Sequence, residues 1–382
     1  MARRVETLLF RVKSERIPEL DGIRGIAVLM VLVWHYYTAQ TGPAEPLSLE
    51  AAVRKVTELF WSGVDLFFVL SGFLIGGIIL EHQARRGFLA TFWIRRCCRI
   101  LPALVLLLLA CLVGYHLLDR VRFAWLFDNL MPWWSYATFT QNIMMGARGT
   151  FGGHFLDVTW SLAVEEQFYI FAPLLVLALG PKVWVRLLPV LIVAALALRI
   201  AFPGFHTFVD TPFRMDSLLT GFLLAAVMRN DEAVRRLESR RAGLAVLLLL
   251  GVAFTLYRAV HGGFGQFEPT TSGAFAFTWF AFFYGLLILV VLLYRGTIFT
   301  ALLRAGLLAF FGAISYGLYL YHQPVSGLLH GWLSADAVPR FNAVTGVAFL
   351  VSVAAAWLSL RYWENPFVRL GRRRSYGGES RG

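Results

Sequence analysis

The chain has 382 residues, of which 58% are hydrophobic and 15% charged, and its formal net charge is +12 at pH 7. About a quarter of the residues in a soluble domain are charged, so this composition excludes a soluble enzyme and indicates a polytopic membrane protein. In such a protein the positions of the basic residues set the orientation in the bilayer, so the net charge does not indicate a nucleic-acid partner. The cysteines Cys97, Cys98 and Cys111 fit neither a disulfide framework nor a metal site.

Ten apolar segments are long enough to cross a membrane, which predicts an all-α fold of about ten transmembrane helices around a polar cavity. They lie near residues 23–41, 61–81, 100–118, 159–179, 184–202, 212–228, 242–260, 274–294, 306–329 and 341–361. With the N-terminus in the cytoplasm, the inner segments hold 25 Lys and Arg residues and the outer loops hold 6. This excess predicts that both termini are cytoplasmic.

The predicted spans divide the chain into three regions. A basic cytoplasmic segment, 1–22, precedes a membrane domain over 23–361, and a basic cytoplasmic tail, 362–382, follows it. The first apolar run lacks a small-residue cleavage site, so we expect it to be an uncleaved anchor. We expect the protein to lie in the bacterial inner membrane, and its oligomeric state stays open.

The first span carries an arginine at its mouth and a histidine inside it. Arg24 and His35 are 11 residues apart. On a helix this is about three turns, so both side chains share a face and are separated by a rise of roughly 16 Å. Because a buried ionisable group in lipid costs a few kcal/mol, His35 is a candidate for function. The alternative is a packing histidine bonded to a neighbouring carbonyl.

Polar residues recur in the outer halves of five predicted spans. On one face of the fourth span, Ser161, Glu165 and Tyr169 follow each other at intervals of four residues. The set comprises His35, Asp65, Ser161, Glu165, Tyr169, Arg214, Asp216, Ser315, Tyr319 and His322. Their common depth predicts a shared polar cavity.

A second group, of arginines, lies at the predicted inner surface. Arg96 and Arg99 are three residues apart and fall on one helical face, where forked guanidinium groups suit phosphates. The alternative is a basic cluster that only fixes the topology. Glu364, at the inner end of the last span, is a candidate ion-pair partner for one of these arginines.

Taken together, five motifs in this order resemble the membrane-bound acyltransferase type 3 family. Each motif is weak alone, but the set is specific and extends from residue 20 to about residue 325. The motifs are Leu20-Asp21-Gly22-Ile23-Arg24-Gly25 with His35, Gly63-Val64-Asp65-Leu66-Phe67-Phe68-Val69-Leu70-Ser71-Gly72, Arg96-x-x-Arg99, Trp160-Ser161-Leu162-x-x-Glu165-x-x-Phe168-Tyr169 and Ser315-Tyr316-Gly317-x-Tyr319-Leu320-x-His322-x-Pro324.

The resemblance implies transfer of an acyl group, often acetyl, from cytoplasmic acyl-CoA to a hydroxyl group of a carbohydrate or similar acceptor. It also implies that Arg24 and His35 form the family's arginine-histidine motif, that Arg96 and Arg99 bind the donor, and that Glu165 is its conserved acid. Some relatives carry an appended extracytoplasmic hydrolase-like domain. We expect this chain to lack one, because only residues 362–382 follow the last predicted span.

These residues suggest a mechanism in which His35 is the general base that takes the proton of the acceptor hydroxyl. Asp65 or Glu165 would orient the imidazole ring or hold the acceptor, and no metal is required. A covalent acyl-histidine stays open. Candidates for oxyanion stabilisation or substrate binding are Asn142, Tyr169, Arg214, Asp216, Tyr319 and His322.

Other functions fit part of the pattern. Ten helices with a polar cluster are also typical of a carrier for an anionic metabolite or a lipid-linked sugar, although no paired broken helices are visible. A third possibility is a structural subunit of a polysaccharide export complex. That function would not explain why His, Asp and Glu residues occur at one depth. Within acyl transfer, we expect acetyl-CoA or another acyl-CoA as donor and an exported polysaccharide or its precursor as acceptor, with a macrolide sugar or similar metabolite as the alternative.

Overall fold

The computed structural model describes residues 17–42, 45, 48–261, 264, 271–334 and 340–376. Within these ranges the regular secondary structure is helical and no β-strand occurs, so the predicted all-α class is confirmed. Most of the predicted N-terminal segment 1–22, and residues 377–382 of the predicted tail, lie outside the described residues.

Each predicted apolar segment corresponds to one long helix. These helices are α1 (Pro18–Val33), α2 (Gly63–His82), α3 (Phe88–Leu117), α4 (Thr159–Leu179), α5 (Pro181–Ala201), α6 (Thr211–Val227), α7 (Arg241–Val260), α8 (Thr271–Leu293), α9 (Gly306–Leu333) and α10 (Ala343–Leu358). Helix α3 begins well before its predicted start near residue 100. The hydropathy pattern finds only its apolar part, whereas the helix also includes the basic turn that carries Arg96 and Arg99.

Short helical segments connect or extend the long helices. The α-helical ones are Leu49–Thr57, Ala124–Phe127, Trp133–Ala137, Gln141–Arg148, His206–Val209, Asp231–Ser239 and Asn365–Arg372. The 3₁₀ turns are Glu58–Ser62, Ile298–Thr300 and Leu302–Arg304, and the π-helical turns are Trp34–Thr38 and Ser359–Glu364.

Seven helical stretches in the described ranges are long and apolar enough to cross a membrane. They contain α2, α3, α4, α5, α7, α8 and α10. Helices α1 and α6 have only 16 and 17 residues, and the continuous 28-residue helix α9 carries serine, tyrosine and histidine side chains that lower its mean hydropathy. A multi-pass membrane fold is therefore supported, whereas the count of ten spans and the cytoplasmic termini stay predictions.

Helices α1 and α9 cross at very short range because glycines face each other's backbone. A Cβ atom at Gly25 would overlap the Leu308 carbonyl oxygen, and one at Gly312 would overlap the Asp21 carbonyl oxygen. Small residues allow this approach in membrane helices, where van der Waals packing drives association. The contact joins the helix that leads to His35 with the helix that carries His322.

Replacing Gly312 with Ala is expected to separate α1 from α9 and to lower both the thermal unfolding midpoint and activity. The added methyl group meets backbone, which cannot rotate away. The matched control is Gly346→Ala in α10, where no atom of the described residues lies within 4 Å of the new Cβ atom. A fluorescence-based unfolding assay in detergent measures both midpoints. Equal midpoints for the two variants would contradict the proposed close contact.

His35 lies in the π-helical turn Trp34–Thr38, which extends α1. Such turns occur mostly as single insertions in α-helices and often at functional sites. A second π turn, Ser359–Glu364, extends α10. Because an i→i+5 turn redirects the side chains within it, the regular period of 3.6 residues does not determine the direction of His35.

Candidate active site

Two cavities lie along the same helices. The arginine chamber is lined by the polar residues Arg24, Ser71, Arg96, Arg99, Ser161, Glu165, Tyr169, Ser315, Tyr316 and Tyr319. The histidine chamber is lined by the polar and aromatic residues Trp34, His35, Gln40, Trp61, Trp125, Phe151, His154, Asp157, Trp160, Phe208, Tyr319 and Gln323. The single shared cavity predicted from the sequence is thus divided.

The two chambers meet at Tyr319 and Val64, which line both of them. Helix α1 with its π turn contributes Arg24 to one chamber and His35 to the other. At the junction the Tyr319 hydroxyl lies 2.7 Å from Ser161 Oγ and 3.3 Å from the Val158 carbonyl oxygen. Tyr319 therefore stands between the arginines and the histidine.

The hydrogen bonds of His35 identify which ring nitrogen is free. Nδ1 lies 2.9 Å from the Val31 carbonyl oxygen and 3.2 Å from His322 Nε2. A carbonyl only accepts, so we assign the proton of neutral His35 to Nδ1. Nε2 then carries the lone pair and has no hydrogen bond to the described residues. A lone pair facing a cavity is what a general base requires.

His322 holds the ring of His35 from the opposite helix. Its Nδ1 lies 2.7 Å from the Tyr319 carbonyl oxygen, so Nδ1 carries the proton and Nε2 accepts from His35. Tyr36 supports the same turn by donating to the His322 carbonyl oxygen at 2.7 Å. Both nitrogens of His322 are engaged, which leaves no N–H to donate to an oxyanion. The geometry instead makes His322 an orienting group.

Three guanidinium groups converge in the arginine chamber. Arg96 and Arg99 make no hydrogen bond to the described residues, while Arg24 lies 3.5 Å from Asp21. Glu364, expected to pair with one of them, accepts a hydrogen bond from Ser359 instead. The three positive charges repel each other, and a bound polyanion would offset that repulsion. The arginine chamber is therefore suited to binding an anionic ligand.

Glu165 faces the arginines and not His35. It lines the arginine chamber together with Tyr169, whose hydroxyl is hydrogen-bonded to Ser71 Oγ. The expectation that Glu165 shares a cavity with His35 is therefore wrong. Ser161 contacts Tyr319 at the junction, and Glu165 lies one helical turn further along α4. Since each residue of a helix advances about 1.5 Å, Glu165 lies past the junction, on the side of the arginines.

Asp65, Arg214 and Asp216 form a buried ion-pair network outside both chambers. Arg214 Nη2 donates to Asp65 Oδ1 at 2.8 Å, and Arg199 Nη2 donates to Asp216 Oδ2 at 2.6 Å. Ser217 Oγ also donates to Asp65 Oδ1 at 3.0 Å. Asp65 is thus not placed to orient His35. Neither Arg214 nor Asp216 lines a chamber in which a substrate could bind. The sequence showed their depth but not their partners.

This network instead supports a wall of the histidine chamber. The Arg214 guanidinium lies 3.9 Å from the ring centroid of Phe277, 5.4 Å from that of Phe208 and 5.5 Å from that of Trp160. The last two rings line the chamber. Arg214 therefore acts behind the aromatic surface.

Asn142 has a comparable structural position. Its amide nitrogen donates to the Val209 carbonyl oxygen at 3.2 Å, and its Oδ1 accepts from Gln167 Nε2 at 2.9 Å. The side chain is fully buried and lines neither chamber. It joins the segment Gln141–Arg148 to α4, and substrate binding by Asn142 has no support in this geometry.

His154 and Asp157 line the histidine chamber but were not predicted from the sequence. His154 Nδ1 lies 2.9 Å from Asp157 Oδ2. Hydrogen bonding to this carboxylate raises the pKa of His154 above its ordinary value of 6.5. A usable signal was present, since the pair stands three residues apart immediately before a predicted span.

Because the pKa of His154 is raised by folding, the pair should stabilise the protein at acidic pH. That contribution is complete below the unfolded pKa and is lost as pH rises through the folded pKa. We expect His154→Gln to lower the unfolding midpoint at pH 5.5 and to have little effect at pH 8.5. The change should be small, since the side chain is 56% exposed. A larger loss at pH 8.5 would contradict the pairing.

The fold and the paired chambers define a multi-pass membrane protein with a polar site between its helices. The chain belongs to the acyltransferase 3 family, since the family profile, described as an acyltransferase domain, matches residues 17–361. The family resemblance found in the motifs is therefore confirmed.

The similarity to individual proteins is low, at about a quarter of identical residues. A Staphylococcus aureus (strain COL) protein, provisionally named O-acetyltransferase, is 26% identical over 94% of this chain and 58% of its own length. The O-acetyltransferase OatA of S. aureus (strain NCTC 8325 / PS 47) is 25% identical over 93% of this chain and 58% of its own length. The match thus spans somewhat more than half the length of these relatives. No solved structure matches the chain.

Proposed function

We propose that the protein transfers an acyl group, with acetyl as the leading candidate, from acyl-CoA to a hydroxyl group of a carbohydrate at the bacterial inner membrane. The observation that carries this proposal is the pair of chambers, one with unpaired guanidinium groups and the other with an imidazole lone pair. An exported polysaccharide or its lipid-linked precursor is the acceptor that we favour.

Donor binding follows from the charges of the arginine chamber. The phosphates of CoA would contact Arg96 and Arg99, whose forks suit bidentate phosphate binding. The pantetheine arm would then extend past Tyr319 into the histidine chamber. The span from Arg24 to His35, roughly 16 Å along the helix, matches an extended arm of this kind.

The transfer step uses His35 as a proton carrier. Nε2 removes the proton from the acceptor hydroxyl as its oxygen attacks the thioester carbonyl carbon, and an oxyanion forms. When the C–S bond breaks, the sulfur leaves with the bonding electron pair and takes the proton back from the imidazolium. His322 Nε2 accepts from Nδ1–H throughout and so stabilises the cationic ring. The Tyr319 hydroxyl is the nearest candidate donor to the oxyanion.

The test uses full-length protein in lipid nanodiscs with radiolabelled acetyl-CoA and a glycan acceptor. We expect labelled ester and free CoA to form in equal amounts, and only when both substrates are present. A carrier would move its cargo across a sealed vesicle without ester formation. Acceptor-independent release of CoA would contradict the proposed transfer.

A further inference from the structure

The histidine chamber differs from the arginine chamber in the sign of its charge. Among the described residues that line it, none is Lys or Arg, and Asp157 is the one carboxylate. The neutral amides Gln40 and Gln323 are also present, and the Gln323 amide makes no hydrogen bond to the described residues. Besides His35, His154 is the one lining side chain that becomes a cation by protonation, and it is paired with Asp157. At a pH at which both imidazoles are neutral, the lining offers hydrogen bonds to hydroxyl groups but no counter-ion to an acid.

Aromatic rings form much of the remaining surface. The chamber is lined by Trp34, Trp61, Trp125, Trp160, Phe151 and Phe208. The wall is well packed, since the rings of Trp160 and Phe208 lie 4.8 Å apart and His154 meets Trp125 edge-on at 5.4 Å. Flat aromatic faces with nearby amides suit the C–H faces and hydroxyl groups of a sugar ring.

We propose that the histidine chamber binds an uncharged glycosyl residue and that Asp157 sets this selectivity by repelling acceptors with a carboxylate or phosphate. The proposal rests on the proposed function, because it specifies the acceptor of that same site. At the same position Asp157 would accept a hydrogen bond from a sugar hydroxyl, whereas an ionised carboxylate or phosphate group has no proton to donate.

The position of Asp157 supports this role. Its Oδ1 accepts from the Val158 N–H at 2.6 Å, and its Oδ2 is held by His154, so the carboxylate is fixed at the chamber wall. It is 8% exposed and lines the same chamber as His35. An acceptor anion in that chamber is therefore repelled by the Asp157 carboxylate when His154 is neutral. At a protein interior's effective dielectric constant, one such repulsion weakens binding by about tenfold to a hundredfold.

The experiment compares three soluble glycosides at pH 8.5, where His154 is neutral, in nanodiscs containing full-length protein. 4-Nitrophenyl β-glucoside and 4-nitrophenyl β-glucuronide differ only at C6, and the β-xyloside lacks C6 and controls for the lost hydroxyl. Saturation-transfer NMR measures binding, and mass spectrometry measures esters formed from acetyl-CoA. We expect the glucuronide to bind at least about tenfold more weakly than both neutral glycosides.

Asp157→Asn should reduce this discrimination to about threefold or less, mainly by improving glucuronide binding. The matched control, Asp128→Asn, removes an exposed carboxylate of the same outer loop that does not line the chamber, and should retain the wild-type ratio. Equal or tighter glucuronide binding by the wild type, an unchanged ratio in Asp157→Asn, or no binding of any glycoside would overturn the proposal. Selective binding without ester formation would instead reject the proposed transfer and leave the assignment of the chamber intact.

Discussion

Replacing His35 with Gln is expected to lower kcat for acyl transfer by about 10²- to 10⁴-fold, because general-base catalysis typically contributes a factor in this range. The donor site should be unaffected, since the arginine chamber lies on the other side of Tyr319. Stopped assays with radiolabelled acetyl-CoA measure the transfer, and calorimetric titration with CoA measures donor binding. We therefore expect a loss of turnover with an unchanged Kd for CoA.

His116→Gln provides the matched control, because this histidine is exposed near the end of α3 and lines neither chamber. Its kcat should equal that of the wild type. If His35→Gln retained a tenth or more of the wild-type turnover while folding normally, another group would have to be the base. A parallel loss of CoA binding would indicate a structural role for His35 in the helix contact.

The helices were predictable because each one contains an apolar run, and seven of them lie in stretches that are long and apolar enough to cross a membrane. The positive charges also marked the ends of these runs, which is why the ten segments correspond closely to α1–α10. What hydropathy does not encode is how far a helix continues through polar residues. Helix α3 therefore begins at Phe88, and its basic turn belongs to the helix and not to a connector.

The candidate site was only partly predictable, since spacing gives the depth and face of a residue but not its neighbour on another helix. Arg24, Arg96 and Arg99 do share a chamber, and His35 does face another. The carboxylates of Asp65 and Glu165 are suited to orienting an imidazole ring. However, Asp65 forms an ion pair with Arg214, and Glu165 lines the arginine chamber. These partners depend on the crossing of helices that are far apart in sequence.

The contact between His35 and His322 illustrates the same limit. The two rings are 287 residues apart in sequence and 4.8 Å apart between ring centroids. Two features produce this contact: the glycine-mediated approach of α1 to α9, and the π turn that redirects His35. Neither follows from hydropathy, although Gly25 and Gly312 stand where such an approach requires small residues.

Replacing both Arg96 and Arg99 with Ala is expected to raise KM for acyl-CoA by about 10²-fold and to change kcat much less. Each charge-assisted contact to a phosphate contributes about 1.5 kcal/mol or slightly more, and each 1.4 kcal/mol is tenfold in affinity. Removal should cost little folding stability, because neither guanidinium has a hydrogen-bonded partner among the described residues and the loss relieves repulsion. Initial rates at varied acyl-CoA and saturating acceptor measure the effect.

The control pair is Arg372→Ala with Arg373→Ala, which removes two exposed charges beyond α10 and should leave KM for the donor unchanged. A short thioester without the nucleotide, such as acetyl-pantetheine, separates phosphate binding from a general change in shape. With acetyl-pantetheine the wild type and the double variant should have the same KM, because this donor lacks the phosphates that Arg96 and Arg99 would contact. If the variant remained impaired with acetyl-pantetheine, or if only KM for the acceptor rose, the arginine chamber would not be the phosphate site.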